Sequence, residues 1–326
     1  MISHWDDVRS GRGERGHIAG TWSNLTGRSS HAVGVKRIQV DPGMWSTPLH
    51  LEGAEEEIFY VLGGSGVSVQ WEGEGDPVGY EVRAGDCLVH LPLENAHTLR
   101  AGDDGLDVLA FGQRTLAGGV TWLPRAGVAW LGETWAPVGA EEDHPWTREA
   151  AAGPPEVAEL SPRPSNIVNV EDVKEFERSG RTVSRRGRDL GREAGSQRTG
   201  IKLYEVSPGM LMNPPHSHSA EEEIFVVLGG SGFLTVWPHP RGRTEPERFS
   251  DVREEHAVLT GSIVASPAGV ARPLDLRAGD EGMRVLAYGI RDPNDITYYP
   301  RSGKVMLRGV GVVGRLEQLD YWEGED

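Results

Sequence analysis

The chain has 326 residues and one cysteine, and its 49 acidic against 33 basic side chains give a formal net charge of −16. This length provides for two domains with separate cores, and the acidic balance argues against nucleic acid or an anionic membrane as partner. The single Cys87 excludes an intrachain disulfide framework and reads as a small buried apolar residue. MISHWDDVRS at the N-terminus lacks the apolar stretch of a secretory signal, and no apolar run is long enough to span a bilayer. A soluble, cytoplasmic protein is expected.

Residues 1 to about 32 are polar and rich in Gly and Arg, with Trp5 and Trp22 as the only large anchors. Val33–Val40 reads as a strand closed by the turn residues Asp41, Pro42 and Gly43. A hairpin from about Thr47 to Trp71 follows, in which Gly63, Gly64 and Gly66 read as turn glycines. Short strands are expected at Val78–Val82, Cys87–Leu91, His97–Arg100 and Asp107–Phe111, separated by turns. Even spacing of this kind describes a jelly-roll barrel.

Beyond Val128 the pattern loosens, and Trp130, Trp135 and Trp146 read as packing anchors of a strap across the barrel. Gly153–Pro164 contains four prolines and reads as a linker. Glu171–Glu177 reads as a short helix. Seven arginines between Arg178 and Arg198 read as a solvated run or a contact with acidic surface, in preference to an anion site. Pro238–His256 is polar enough to be a loop over one rim, and the aromatic tail with Tyr298, Tyr299, Tyr321 and Trp322 reads as packed structure.

The chain repeats itself. Glu55–Gly66 (EEEIFYVLGGSG) and Glu221–Gly232 (EEEIFVVLGGSG) differ only at Tyr60 and Val226. Leu99–Gly112 answers Leu276–Gly289, and Thr121–Gly127 answers Thr297–Gly303. An internal duplication follows, with domains expected at 1–150 and 151–326.

In the second copy His216 and His218 lie two apart, so on one strand they face the same side. Ser219 and Ala220 form a turn that resets the phase, placing Glu223 on the neighbouring antiparallel strand, where its carboxylate meets both imidazoles across the ladder. Two imidazoles and a carboxylate converging inside a barrel make a metal site. The glycines have no helix-opening G-x-G-x-x-G context and are no phosphate loop.

The run His-x-His-x4-Glu-x6-Gly, after Gly209, resembles the first motif of the cupin superfamily, and the whole chain resembles tandem-barrel cupin-domain proteins. The resemblance implies an all-β fold of two tandem cupin barrels with short helical or irregular connections. It also implies ligand sets, carried over position by position. In the first barrel these are His50, Glu57 and His97, with Glu52 where the second histidine belongs. In the second they are His216, His218 and Glu223, with Arg272 at the fourth-ligand position. Arginine has no lone pair to donate, so Arg272 is expected either to bind an anion beside the metal or to pair with Glu223 and displace it. The implied cofactor is a divalent first-row transition metal such as Mn, Fe, Ni or Zn. Two carboxylates in the first set favour the harder ions.

The implied partner is a small-molecule ligand or substrate, anionic ones included, and a homodimer is compatible with the fold. Three functions follow from the resemblance: a metal-dependent dioxygenase-type oxidoreductase, a non-catalytic metal-containing binding or sensing protein, and a cupin isomerase. The last needs a histidine base beyond the ligands, for which His90 is the candidate.

Overall fold

A computed structural model describes residues 2–27, 30, 32–114, 119–131, 134–136 (backbone only), 144–157, 159–237, 253–270, 272–316, 319 and 322–324. Two compact units emerge: Ser3–Lys174 with Arg188–Lys202, and Met1–Ile2 with Glu175–Gly187 and Leu203–Asp326. Almost all regular structure is strand, with α-helices only at Pro145–Ala151 and Leu190–Glu193 among the described residues.

In the first unit one sheet runs in the order Ile167–Asn169, Asp86–His90, Glu57–Trp71, Ala96–Gln113, Val33–Val40, Ile18–Asn24 and Ser10–Arg15. Val78–Arg83 joins it on Glu57–Trp71. A smaller sheet orders Thr134–Ala136, Val128–Leu131, Val120–Leu123 and Leu51–Glu52. Ile38, Val40, Phe59, Val61, Val82, Leu99 and Val108 fill the space inside as one apolar cluster. The second unit repeats the plan. Its larger sheet includes Ser262–Ser266, Glu223–Val236, Leu274–Ile290, Thr199–Val206, Ser184–Arg188 and Glu175–Ser179 in that order, and its smaller one Ser217–His218, Ile296–Tyr299, Lys304–Leu307 and Val312–Arg315.

The glycines read as turns lie instead within one uninterrupted strand, Glu57–Trp71, whose register against Ala96–Gln113 shifts between Val61 and Gly63 and again between Gly64 and Gly66. A Cβ at Gly66 would sit 2.1 Å from the carbonyl oxygen of Arg100, and Gly64 adopts φ +80°. Close backbone approach at a pair of bulges is therefore what these glycines permit. The same bulges merge the two short strands expected over 97–111 into the single element Ala96–Gln113.

The domain boundary expected at 150/151 is displaced. Ile167 pairs with Leu88, and the Arg163 guanidinium donates to both oxygens of buried Asp86 at 2.8 Å, so the expected linker lies along the first barrel. Residues 196–199 return to the first unit through Glu56. Its buried carboxylate accepts from the Ser196 hydroxyl at 2.7 Å, from the backbone N–H of Gln197, Arg198 and Thr199, and from the Thr199 hydroxyl.

No helix forms over Glu171–Glu177. Glu175–Ser179 is a strand, and Phe176 packs on the second core. Of the expected rim loop, 238–252 lies outside the described residues, while Glu254–Leu259 pairs with Glu223–Val236. Trp146 packs on Trp22 with ring centroids 5.5 Å apart, whereas the side chain of Trp135 lies outside the described residues. Cys87 is fully buried, and no helix among the described residues is long and apolar enough to cross a membrane.

Candidate functional site

In the first barrel His50 follows a bend, Glu57 opens the long central strand, and His97 lies near the start of the strand beside it. His50 and His97 face each other as an isolated antiparallel bridge, and each backbone N–H donates to the other's carbonyl. Their rings converge on one oxygen, with Glu57 Oε2 at 3.2 Å from His50 Nε2 and 2.9 Å from His97 Nε2. Each ring turns its other nitrogen to a carbonyl oxygen: His50 Nδ1 to Pro48 at 2.9 Å, His97 Nδ1 to Asn95 at 3.2 Å. Nδ1–H donation to a carbonyl leaves the Nε2 lone pair for a metal, so this donor set fits a divalent cation. His50, Glu57 and His97 together satisfy the mutual spacing of a metal-ligand cluster.

The electrostatics are those of an assembled charge cluster. Burial alone would lower the His50 pKa, but the hydrogen bond and charge of Glu57 raise it to about 9. Burial would raise that of Glu57, which the hydrogen bonds and charges of His50 and His97 hold well below the carboxylate range. His97 is lowered, chiefly by burial. His90 stacks face to face on His97, centroids 3.8 Å apart at 4°, and burial holds it well below the ordinary histidine value.

Glu52 stands at the edge of the cluster. Its Oε1 is 3.9 Å from His50 Nε2 and accepts from the Thr121 hydroxyl at 2.8 Å. Burial, then the charge of Glu57, raises its pKa to about 7. A cavity of about 580 Å³ opens here, lined by His50, Glu52 and Glu57 with Lys36, Trp22, Trp130 and Trp146 among its walls.

In the second barrel Glu223 Oε2 lies 3.6 Å from His216 Nε2 and 3.3 Å from His218 Nε2, again a cluster with ligand spacing. The histidines do not meet Glu223 across a ladder as expected. Ser217–His218 pairs with Ile296–Tyr299 in the smaller sheet, while Glu223 opens a strand of the larger one, so the three meet across the barrel interior. His218 Nδ1 donates to Asp295 Oδ2 at 2.7 Å, and its buried Nε2 has no hydrogen-bond partner. An oriented imidazole with its second nitrogen unclaimed fits a cation here too. Burial would lower the His218 pKa, yet the charge of Glu223 and the bond to Asp295 raise it to about 10. Asp295 also accepts from the N–H groups of Ala220 and Glu221 and the hydroxyl of Thr297.

Arg272 does not enter this cluster. Its side chain is half exposed, with Nη2 3.7 Å from Glu254 at the surface. The residue in the register of His97 is Leu274: His216 bridges Leu274 as His50 bridges His97, and Val236 pairs with Leu274 as Gln70 pairs with His97. Fixed motif spacing carried the assignment two residues short. Counting back from the matching Leu99 and Leu276 reaches His97 and Leu274 directly.

Asp295 was not singled out from the sequence. Its signal is a paired difference between the copies, where Thr121 opposes Glu52 in one and Thr297 opposes His218 in the other. Two residues before those threonines stand Gly119 and Asp295. The orienting carboxylate occurs only in the copy that has the histidine.

No protein-family model matches the chain, and no curated protein does. Solved structures do match. Oxalate decarboxylase of Lactobacillus farciminis in complex with formate is 16% identical with a TM-score of 0.59, over 90% of this chain and 87% of that one. The Bacillus subtilis oxalate decarboxylase at pH 4.6 is 18% identical with a TM-score of 0.58, over 88% and 75%. A deletion mutant of the same Bacillus enzyme is 18% identical at 0.58, over 88% and 76%. The fold is that of the two-barrel cupins, or bicupins.

Proposed function

We propose that this bicupin is a metal-dependent enzyme acting on a small carboxylate in its first barrel. The observation that carries the reading is the cavity of about 580 Å³, which brings Lys36 and Glu52 together with His50 and Glu57 in one lining. Lys36 offers a cation to an anionic group, and Trp22, Trp130 and Trp146 give the cavity apolar walls suited to a small ligand. His50, Glu57 and His97 would hold a divalent first-row cation, which when bound supplies Lewis-acid stabilisation of a substrate oxygen. Glu52, steadied by Thr121, is the group best situated to hand a proton to the substrate or take one from it. His90 stacks behind His97 and is better read as support for that ring than as the base of an isomerase.

The similarity to oxalate decarboxylases supports decarboxylation of a small dicarboxylate as the reaction class, with oxalate the first compound to try. A dioxygenase-type reaction is the second reading, favoured by the two-histidine, one-carboxylate set His216, His218 and Glu223 of the other barrel. Metal-reconstituted protein offered oxalate and other small carboxylates separates them. Carbon dioxide release without stoichiometric oxygen uptake supports the first, and matched oxygen consumption supports the second. Metal-bound protein that binds carboxylates with no turnover would be a binding protein.

A further inference from the structure

The second barrel holds a cation that neither metal cluster uses. Arg185 lies on Ser184–Arg188, the strand beside Thr199–Val206 in the larger sheet. Its guanidinium carbon stands 4.2 Å from the centre of the Tyr204 ring, and Tyr204 belongs to the buried core of that barrel. Nε and Nη1 are closed off from solvent without an acceptor, and Arg185 has no ion-pair partner among the described residues. Its neighbour Arg186 behaves as a solvated arginine should, exposed and paired with Glu205.

The duplication makes Arg185 a specific addition. Ile18 bridges Trp45 as Val183 bridges Leu211. The Ala19 carbonyl accepts from Asp41 at 3.2 Å as that of Ser184 accepts from Ser207 at 3.0 Å. One residue further along, the first barrel has Gly20 and the second has Arg185. Tyr204 shares its buried cluster with Phe225, on the same strand face as Glu223, and with Leu274, which His216 bridges. The guanidinium over Tyr204 therefore lies on the interior side of the barrel, which also carries the ligands.

A guanidinium buried with unmet donors costs free energy unless something accepts from it. We propose that Arg185 is the anion-binding residue of the second barrel and holds a small carboxylate in the interior faced by His216, His218 and Glu223. Tyr204 supports one face of the guanidinium, and a planar oxyanion completes its donors at the edge. A divalent cation on the cluster is balanced by the carboxylates of Glu223 and Asp295, which leaves the charge of Arg185 to an anionic ligand. The role expected of Arg272 thus falls to a residue in the arginine run read as solvated.

This site stands on the second barrel alone and does not depend on the first-barrel function. Its test uses full-length protein carrying Lys36→Gln, His50→Ala and His97→Ala, so that the cation and two metal ligands of the first-barrel cavity are removed, with formate as probe in an NMR line-broadening titration. Adding Arg185→Gln is expected to weaken formate binding about tenfold or more, with Arg185→Lys intermediate. Equal binding by the Gln variant, or no formate binding by the parent, overturns the proposal. Crystals of the unaltered protein soaked in formate decide the matter independently of how the variants fold. The anion is expected on Arg185 Nε or Nη1, and its absence from Arg185 in those crystals counts against the site.

Discussion

His218 Nδ1 donates to Asp295 Oδ2 at 2.7 Å, and the first barrel has neither member of this pair. There Glu52 takes the place of His218 and Gly119 that of Asp295, while Thr121 bonds Glu52 directly at 2.8 Å. Each barrel therefore supports its own version of the position. A histidine needs an acceptor for Nδ1–H to fix its ring and tautomer, which Asp295 supplies here, whereas a carboxylate needs a donor, which the Thr121 hydroxyl supplies.

Asp295→Asn should lower second-barrel metal affinity about tenfold to a hundredfold, the usual effect of losing such an orienting partner. Asparagine keeps the shape and removes the charge that favours a basic His218. Metal content after dialysis against a graded chelator, with first-barrel metal as internal reference, measures the effect. Equal retention in both barrels would mean that Asp295 serves the fold and not the metal.

The first barrel should show a proton-coupled affinity. Without metal, Glu57 raises His50 to about 9, so below that pH a cation must displace a proton from the ring. Apparent affinity should then fall about tenfold per pH unit on going down from 9 to 7, with about one proton released on binding. Competition against a chromophoric chelator reads the affinity, and weakly buffered calorimetry reads the proton. A flat profile over that range would remove His50 from the ligand set.

Much of this was legible before any coordinates, for identifiable reasons. Repetition of EEEIF and LRAG reveals two similar barrels because duplicated strands keep their core contacts. Paired histidines at spacing two share a face whatever the sheet around them. What escaped was long-range. Asp295 reaches His218 only through the pairing of Ser217–His218 with Ile296–Tyr299, and nothing local marks it. Gly64 and Gly66 read as turn residues in sequence because glycine serves turns and bulges alike, and only the register shows bulges. Arg185 was hidden by its neighbours, since charge pattern does not tell a buried arginine from six others in the same run.

Glu56 should be a strong stability determinant without any part in chemistry. Burial would raise its pKa, but the hydrogen bonds from residues 196–199 lower it below the ordinary carboxylate value. A depressed carboxylate contributes stability in full above its unfolded pKa, about 4.3, and loses it as pH falls through the lower folded value. Glu56→Gln should therefore destabilise by roughly 3 kcal/mol at neutral pH and by less at about pH 3. Denaturant unfolding at both pH values checks this, and a loss that does not shrink in acid would assign the effect to packing.

The sharpest test of the register concerns Leu274 and Arg272. His50 and His97 exchange backbone hydrogen bonds at 3.2 and 2.8 Å, and His216 and Leu274 do so at 3.3 and 3.1 Å. A histidine at 274 would thus start from the backbone position that brings His97 Nε2 within 2.9 Å of Glu57. Leu274→His should add a fourth ligand to His216, His218 and Glu223 and tighten second-barrel metal binding by at least about tenfold. Leu274 also packs in the core, so some loss of stability without metal, about 1–3 kcal/mol, should accompany the gain and reverse when metal is added. Arg272→His should change neither quantity, because Arg272 faces Glu254 at the surface. Metal titration and thermal melts with and without metal compare the two variants directly. Tighter binding by Arg272→His but not by Leu274→His would return the fourth position to Arg272 and overturn the register read from the strands.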